Sequence, residues 1–377
     1  MQQLIFGGRR RLSWQDAPEP KLTGPTDAIV RPLAVARCDL DYLMLKFPVS
    51  KLLGWGEKLG MVDSAIAAFG SPPFEAPFVI GHECAAEVVE VGDQVAHVRP
   101  GDRVIVPFQV SCGTCARCQR KLTAHCSATP TRISAYGLGP AAGDFGGAMA
   151  DLVRVPFADA MLVPLPEGVL PSQAACTADN FCDAYRAVAP GLLELKGAPA
   201  LIVGGRARSV ALYSVAWALS MGAERVYYAD TNQRRLELAS QLGAEVFPLS
   251  RAWMFGSSAP LPVKAPITVD ASVSGRGLRL AIQGTEVGGT CTSVGIHFRA
   301  TTGLPLLQMY VDGITFKTGL ANVRSDLPTV LAHIAAKRID PMRIATRVAA
   351  WSDAADAFFE EDMPKLVVER PSVASLS

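Results

Sequence analysis

The order of apolar and polar residues divides the chain into stretches with different periods. From Asp27 to Val35, and again from Ala85 to Val110, short runs rich in Val and Ile are broken by turn residues such as Gly92-Asp93 and Pro100-Gly101-Asp102. That pattern predicts a compact β-rich unit. Between the two, Leu43 to Phe69 carries apolar residues at helical intervals until Ser71-Pro72-Pro73 stops it, and predicts a helical insertion in a loop. After Pro190 the pattern changes to an alternation: strand from Ala200 to Gly205, helix from Val210 to Met221, strand from Arg225 to Asp230, helix from Gln233 to Leu242. Such alternation predicts a parallel sheet with crossover helices. Further strands are expected at Glu245 to Pro248, Ile267 to Asp270, Gly289 to Gly295 and Ile314 to Thr318. Helices follow at Leu327 to Lys337 and Ala354 to Phe359, then a last strand at Leu366 to Glu369.

Composition narrows this picture. A chain of 377 residues exceeds what one core usually supports, so two domains of an α/β protein are expected. Hydrophobic residues at 49% and charged residues at 19% provide ample core and argue against extensive disorder. Lys plus Arg number 36 against 35 acidic residues, and no single-sign block offers a footprint for a phosphate backbone, which excludes nucleic acid as an expected partner. Met1 to Leu12 holds no apolar signal core, and Val210 to Ala223 is too short to span a bilayer. A cytoplasmic protein with no membrane partner is expected.

Four of the nine cysteines crowd into CGTCARCQRKLTAHC, where Cys112, Cys115, Cys118 and Cys126 are separated by two, two and seven residues. Folded back at Gly113, four thiolates on one loop can close a tetrahedron about zinc with no position left for substrate, which describes a structural site. Unrelated thiols would be an oxidation liability, and a nucleic-acid-binding ribbon splits its cysteine pairs farther apart. Upstream, Cys38 lies in ARCDLD, and Gly81-His82-Glu83 follows the strand-like Phe78-Val79-Ile80. Taken alone a His-Glu pair says little; its conjunction with Cys38 and the cysteine loop says more.

These motifs together resemble the zinc-containing medium-chain dehydrogenase/reductase family, nearly end to end. The resemblance implies a GroES-like β-barrel catalytic domain over residues 1–178 and 320–377 and a Rossmann nucleotide-binding domain over 179–319. It implies a catalytic zinc held by Cys38, His82 and Asp179, the last aligned through DNFCDAYRAV with Tyr185 six residues on; Cys176 and Cys182 compete for that place. Glu83 is expected beside the metal, able to move in during ligand exchange, and Asp41 is expected to orient His82. Three ligands leave a fourth place for an alcohol or aldehyde oxygen. One departure stands out. Where many relatives carry a hydroxyl and a histidine that pass the substrate proton outward, this chain has Leu40 and Leu43, which leaves water or Asp39 for that route.

For the cofactor, the turn Gly204-Gly205-Arg206-Ala207-Arg208-Ser209 lacks the full three-glycine fingerprint, and Ala211 falls at the third glycine position. Asp230, ending VYYAD, can accept the adenosine ribose hydroxyls and repel a 2′-phosphate, which favours NAD. Arg206, Arg208, Arg234 and Arg235 could neutralise extra phosphate charge and keep NADP possible; Asp230 could also serve as a helix cap. Val269-Asp270-Ala271-Ser272, Gly288-Gly289 and Val294-Gly295-Ile296 match segments lining the nicotinamide half.

The run AYGLGPAAGDFGGAMADLVRVPFADAMLVPLP resembles the glutathione-independent formaldehyde dehydrogenase-like branch. The insertion between Asp41 and Phe78 departs from it, and Trp55, Met61 and Phe69 are candidates for a substrate-pocket wall or for a surface excursion. Three activities fit: an NAD-linked alcohol or aldehyde oxidoreductase with two zincs per subunit, an NADPH-dependent carbonyl or imine reductase, and a zinc-stabilised binding protein without turnover. The resemblance further implies a homodimer or homotetramer.

Overall fold

A computed structural model describes residues 1–250, 260–361 and 363–371. They form two compact units, Met1–Asp179 with Asn322–Ser377, and Asn180–Ala321. Asp179 is thus the last residue of the first unit before the chain enters the second.

In chain order the strands are β1 (Gln2–Phe6), β2 (Leu12–Asp16), β3 (Ala28–Arg37), β4 (Phe78–Val79), β5 (Glu83–Val91), β6 (Arg103–Val106), β7 (Val153–Val155) and β8 (Val163–Pro164). The second unit contributes β9 (Ala200–Val203), β10 (Val226–Asp230), β11 (Glu245–Pro248), β12 (Ala265–Asp270), β13 (Thr285–Ser293) and β14 (Thr315–Thr318). The chain then returns to the first unit with β15 (Ala345–Ala350) and β16 (Lys365–Glu369).

In the first unit a seven-stranded sheet runs β15-β16-β3-β5-β6-β8, with β7 also on β3, beside a three-stranded sheet β2-β1-β4. Its registers carry function. Strand β5 pairs antiparallel with β3 so that Glu83 lies opposite Ala36, and β16 pairs with β3 so that Leu366 lies opposite Arg37. Cys38, Glu83 and Lys365 therefore arrive at one end of the same sheet. The strands are fixed by burial: Ala34, Val35 and Ala36 of β3, Ala85 of β5 and Leu366 and Val368 of β16 are closed to solvent. Ala34 and Ala36 face one side of the sheet and Val35 the other, so β3 is covered on both faces here.

The insertion begins earlier than its apolar period predicts. Helix α1 (Asp39–Lys46) starts directly after Cys38, α2 (Val49–Lys58) follows, and a 3₁₀ turn spans Ser64–Phe69. Trp55 and Met61 are 65% and 60% exposed, and Phe69 packs its ring 5.5 Å from Phe74. Of the two expectations for the insertion, the exposure of Trp55 and Met61 favours the surface excursion.

The second unit is a six-stranded, wholly parallel sheet in the order β11-β10-β9-β12-β13-β14. Every residue of β9 and β10 is buried, as expected of strands covered on both faces. The chain leaves β9 toward β10 on one side and returns to β12 on the other, which creates a topological switch point at the carboxyl ends of β9 and β12. Helix α3 (Asn180–Glu194) opens the unit and runs through Pro190, the residue at which the apolar pattern changes. Around the proline Ala187, Val188, Ala189 and Leu192 are buried, and at the start of the helix Phe181 packs 4.9 Å from both Tyr213, edge-on, and Trp217 of α4 (Arg208–Ser220), whose indole donates to the Phe181 carbonyl. Helix α5 (Gln233–Leu242) begins at Asn232, whose side chain accepts from the Arg235 amide. Asn232, and not Asp230, is its cap. Helix α6 (Gly275–Gln283), α7 (Leu306–Asp312) and, in the first unit, α8 (Val323–Ala335) complete the longer helices. No helix among the described residues is long and apolar enough to cross a membrane.

Candidate active site

Cys38 sits between the end of β3 and the start of α1, at the helix cap position. Its amide donates to the Asp41 carboxylate at 3.0 Å, so the first turn of the helix fixes the cysteine and the aspartate together. His82 and Glu83 enter β5 next to it, and Asp179 follows the 3₁₀ turn Ala175–Ala178. One donor atom from each of Cys38, His82, Glu83 and Asp179 lies within 4.8 Å of the others, and all four residues are buried. Neither Cys176 nor Cys182 belongs to this group.

The histidine is oriented from both sides. Its Nε2 lies 3.4 Å from Asp179 Oδ2, while Nδ1 lies 3.5 Å from Asp41 Oδ1, long for a hydrogen bond. Phe108 packs its ring 5.4 Å from the imidazole. Behind Glu83 stands Lys365, closed to solvent, with Nζ 2.5 Å from Oε1. Lys365 was not foreseen from the sequence. A lysine inside the apolar run KLVVE was the available signal, because a buried ammonium requires a buried partner.

This is an anion-rich, dry cluster. Burial, followed by the charges of Asp179 and Glu83, raises the Cys38 thiol well above its ordinary range. Burial pushes Glu83 up to about 8 even though Lys365 opposes it. Burial disfavours a charged His82, yet the carboxylates of Asp41 and Asp179 carry it to about 9. The physical content is a deficit of positive charge. Glu83 Oε2, Asp41 Oδ1 and His82 Nδ1 are moreover buried with no hydrogen-bond partner among the described residues, a costly arrangement for a protein interior. Sulfur, imidazole and carboxylate converging in a dry, negatively charged pocket fit zinc with a position left open.

The second donor group lies on the loop after β6. Sγ atoms of Cys112, Cys115, Cys118 and Cys126 all lie within 4.8 Å of one another, and all four cysteines are free. Four sulfurs about 2.3 Å from one ion would be separated by roughly 3.8 Å, so the set needs only a small contraction. Gly113 takes the positive φ that folds the loop back. The Cys115 amide donates to Cys112 Sγ and the Cys112 amide to Cys126 Sγ, each at 3.3 Å, which suits thiolates. Hydrogen bonds from Ser127 hold Cys115 down to about 5.

In the second unit, Gly204 to Ala207 connect β9 to α4 at the switch point. Gly205 presses against the Ser272 backbone so closely that a Cβ would overlap it, while the Arg206 and Ala207 amides donate to the carbonyls of Ser272 and Ala271 at 3.3 and 3.2 Å. Arg206 is exposed, Arg208 starts the helix, and Ser209 is buried and donates to Asn180 at 2.7 Å. Ala211 is fully buried, as the closely packed third glycine position requires. Val294 and Gly295 follow β13, with the Val294 amide on the Asp270 carbonyl at 3.0 Å. Ser293 donates to Asp270 at 2.8 Å, and His297 lies 3.4 Å from the same carboxylate. The switch-point position and the close Gly turn fit a dinucleotide.

Asp230 is closed to solvent and forms a two-pronged ion pair with Arg235, at 2.7 and 2.8 Å. Its charge is therefore paired with a cation from the first turn of α5.

Comparison with known proteins agrees with this construction. Residues 24–167 match the alcohol dehydrogenase GroES-like domain, and residues 209–336 match the zinc-binding dehydrogenase model. A medium chain reductase/dehydrogenase of an Acremonium species is 30% identical over 315 residues, covering 80% of this chain and 98% of the relative. A glutathione-independent formaldehyde dehydrogenase of Pseudomonas aeruginosa is 37% identical over 180 residues, covering 46% of this chain and 44% of that protein. Among solved structures, an alcohol dehydrogenase from Thermus sp. ATN1 superposes with a TM-score of 0.81 at 27% identity, covering 98% of this chain and 100% of its own. With both halves matched and a relative aligned over almost its whole length, the chain belongs to the zinc-dependent medium-chain dehydrogenase/reductase family of oxidoreductases.

Proposed function

We propose that the protein transfers hydride between a nicotinamide dinucleotide and an alcohol or aldehyde. In this reading Cys38, His82 and Asp179 hold the catalytic zinc, and Cys112, Cys115, Cys118 and Cys126 hold a second, structural one. The observation that carries it is the convergence of four buried donors around Cys38, His82, Glu83 and Asp179, with Glu83 Oε2 lacking a partner among the described residues. A zinc bound there supplies a Lewis acid that grips and polarises the substrate oxygen. The protein's own groups do the rest. Asp41 holds His82 through Nδ1 so that Nε2 faces the ligand group, and Lys365 restrains Glu83 behind it. Phe108 covers the imidazole and excludes water. Leu40 and Leu43 are half-buried and offer no hydroxyl, so the substrate proton leaves through water or Asp39.

At the other substrate, Gly204, Gly205 and the start of α4 receive the pyrophosphate, with Arg206 and Arg208 supplying positive charge. Asp230 and Arg235 border the adenosine ribose, and Val294 and Gly295 the nicotinamide half. NAD and NADP are both candidates, and the Asp230–Arg235 pair removes the repulsion that would exclude the second. The same observation, with the absent hydroxyl relay, favours a second reading within the class: an NADPH-dependent carbonyl or imine reductase. The formaldehyde dehydrogenase-like branch is supported by the aspartate at position 179 and by the partial similarity to the Pseudomonas protein.

Pairing into homodimers is proposed through the open edge strand β14 and helix α7, where Leu306, Leu307, Tyr310 and Val311 are 65%, 78%, 86% and 70% exposed. Nine free cysteines suit a reducing, cytoplasmic setting.

The test is metal analysis joined to a turnover screen of small alcohols, aldehydes and cyclic imines with both dinucleotides. Two zincs and dinucleotide-dependent turnover are expected. One zinc with no turnover of any substrate class would overturn the reading.

A further inference from the structure

Helix α2, in the insertion that follows Cys38, is apolar on two faces. Val49, Leu53 and Gly56 pack inward and are buried. Leu52, Trp55 and Leu59 recur at intervals of three and four and so share another face, yet they are 51%, 65% and 70% exposed. Met61, whose amide returns to the Gly56 carbonyl at 2.7 Å, is exposed at the same end of the helix. An apolar surface of this size that no described residue covers marks a contact with something outside the chain.

The margin of this face is basic. Lys51 and Lys58, both exposed, stand four residues before and three after Trp55 and so flank it along the helix. The turn between β1 and β2 adds to them. Arg10 donates its amide to the Leu45 carbonyl at 2.9 Å and Arg9 its Nε to the Lys46 carbonyl at 3.0 Å, which brings the exposed run Arg9-Arg10-Arg11 to the junction of α1 and α2. The acids nearby are engaged or turned aside: Glu361 is paired with Lys46 at 3.0 Å, Asp63 caps the 3₁₀ turn through the Ala65 amide, and Glu57, two residues from Trp55, lies on the other side of the helix.

We propose that α2 and the β1–β2 turn form a docking surface for an anionic lipid bilayer, with Leu52, Trp55 and Leu59 entering the headgroup boundary and the lysines and arginines meeting lipid phosphates and carboxylates. Charge selects this occupant. Two-fold pairing with a second copy would bring these cations close to their own copies, whereas an anionic surface complements them, and a tryptophan between leucines and lysines suits the boundary between acyl chains and water. The expectation of no membrane partner concerned spanning segments and a signal core; a helix that lies on a bilayer needs neither. Nine free cysteines suit the cytoplasmic leaflet, which carries the anionic lipid. The inference is independent of the hydride-transfer reading.

The experiment sediments the zinc-loaded full chain with vesicles of phosphatidylcholine alone and of phosphatidylcholine with phosphatidylserine at about 3:1. The wild type is expected to partition about tenfold or more in favour of the anionic vesicles, and to lose most of that preference in about 0.5 M salt. A basic residue near an anionic surface is worth about a fivefold gain in partitioning, so Lys51→Gln with Lys58→Gln is expected to weaken binding by roughly tenfold or more. Trp55→Ser with Leu59→Ser is expected to weaken it at least as far. These side chains are exposed, so the fold is expected to hold, which circular dichroism and zinc content check on each preparation. Should one double variant misfold, the other decides. Undiminished partitioning of the folded variants overturns the inference, as does equal binding, or none, to the two kinds of vesicle. A dimer that Trp55→Ser with Leu59→Ser abolishes in sedimentation velocity, without vesicle binding, assigns the face to a second copy, and capture of soluble polyglutamate in place of vesicles assigns it to an acidic protein; either result overturns the proposal.

Discussion

The donor group around His82 and the carboxylate cluster around Asp230 are both buried and both charged, yet they end in opposite states. Around His82 the carboxylates of Asp41, Glu83 and Asp179 outnumber the ammonium of Lys365, three polar atoms lack a hydrogen-bond partner among the described residues, and burial holds protons on Cys38 and Glu83. Around Asp230 every lone pair is used and the charge is cancelled by Arg235. Glu83 Oε2, buried with no hydrogen-bond partner among the described residues, marks a place where something from outside can bind, whereas Asp230, with its lone pairs used, marks a position the protein has closed itself.

The contrast can be broken most forcefully at Cys38. Cys38→Ala is expected to remove one zinc of two and to lower kcat/KM by about 10³-fold or more, while NADH binding by the second unit holds within a factor of about two. Zinc analysis and a fluorescence titration on one preparation check both halves. Next in size is Lys365→Ala, which leaves Glu83 buried beside Asp179 without its cation. A stability loss of about 3–5 kcal/mol is expected by denaturant unfolding, and the double variant Lys365→Met with Glu83→Gln should recover much of it. Asp41→Ala removes the group facing His82 Nδ1, and competition with a chelator should show zinc affinity reduced by about 10–100-fold.

A smaller, graded effect is expected from pH. The groups in the donor cluster hold their protons to higher pH than usual, His82 to about 9, and zinc must displace those protons to bind. Apparent zinc affinity at this site therefore rises with pH toward about 9 and falls as pH is lowered, which equilibrium dialysis across a pH series would record. Trp55→Ala should do least. Its indole is 65% exposed, so stability should change by no more than about 0.5 kcal/mol, and a larger change would show that the insertion is packed more tightly than its exposure indicates.

Much of this was legible in the sequence because the relevant signals are local. The cysteine loop declares itself by spacing, and α5 and β11 fall on the residues that the alternation of strand and helix patterns predicts. What the sequence hid depends on pairing between distant segments. Lys365 reaches Glu83 only because β16 and β5 flank β3 in a particular register, 282 residues apart in the chain. The neutralisation of Asp230 was hidden for a related reason: the motif shows an acid at the end of a strand, but not that Arg235 folds back over it while Tyr228 rises from the same face. Pro190 misleads in the opposite sense: α3 runs through a residue that usually ends helices, with Val188, Ala189 and Leu192 buried on either side of it.

Anomalous diffraction at the zinc edge on crystals of the metal-loaded protein tests the account most directly. It predicts two peaks, one bonded to Cys38 Sγ, His82 Nε2 and Asp179 at about 2.0–2.3 Å with a fourth position open, the other enclosed by the four loop cysteines. A single peak at the cysteine loop, with Cys38, His82 and Asp179 still side by side and no ion between them, would contradict it.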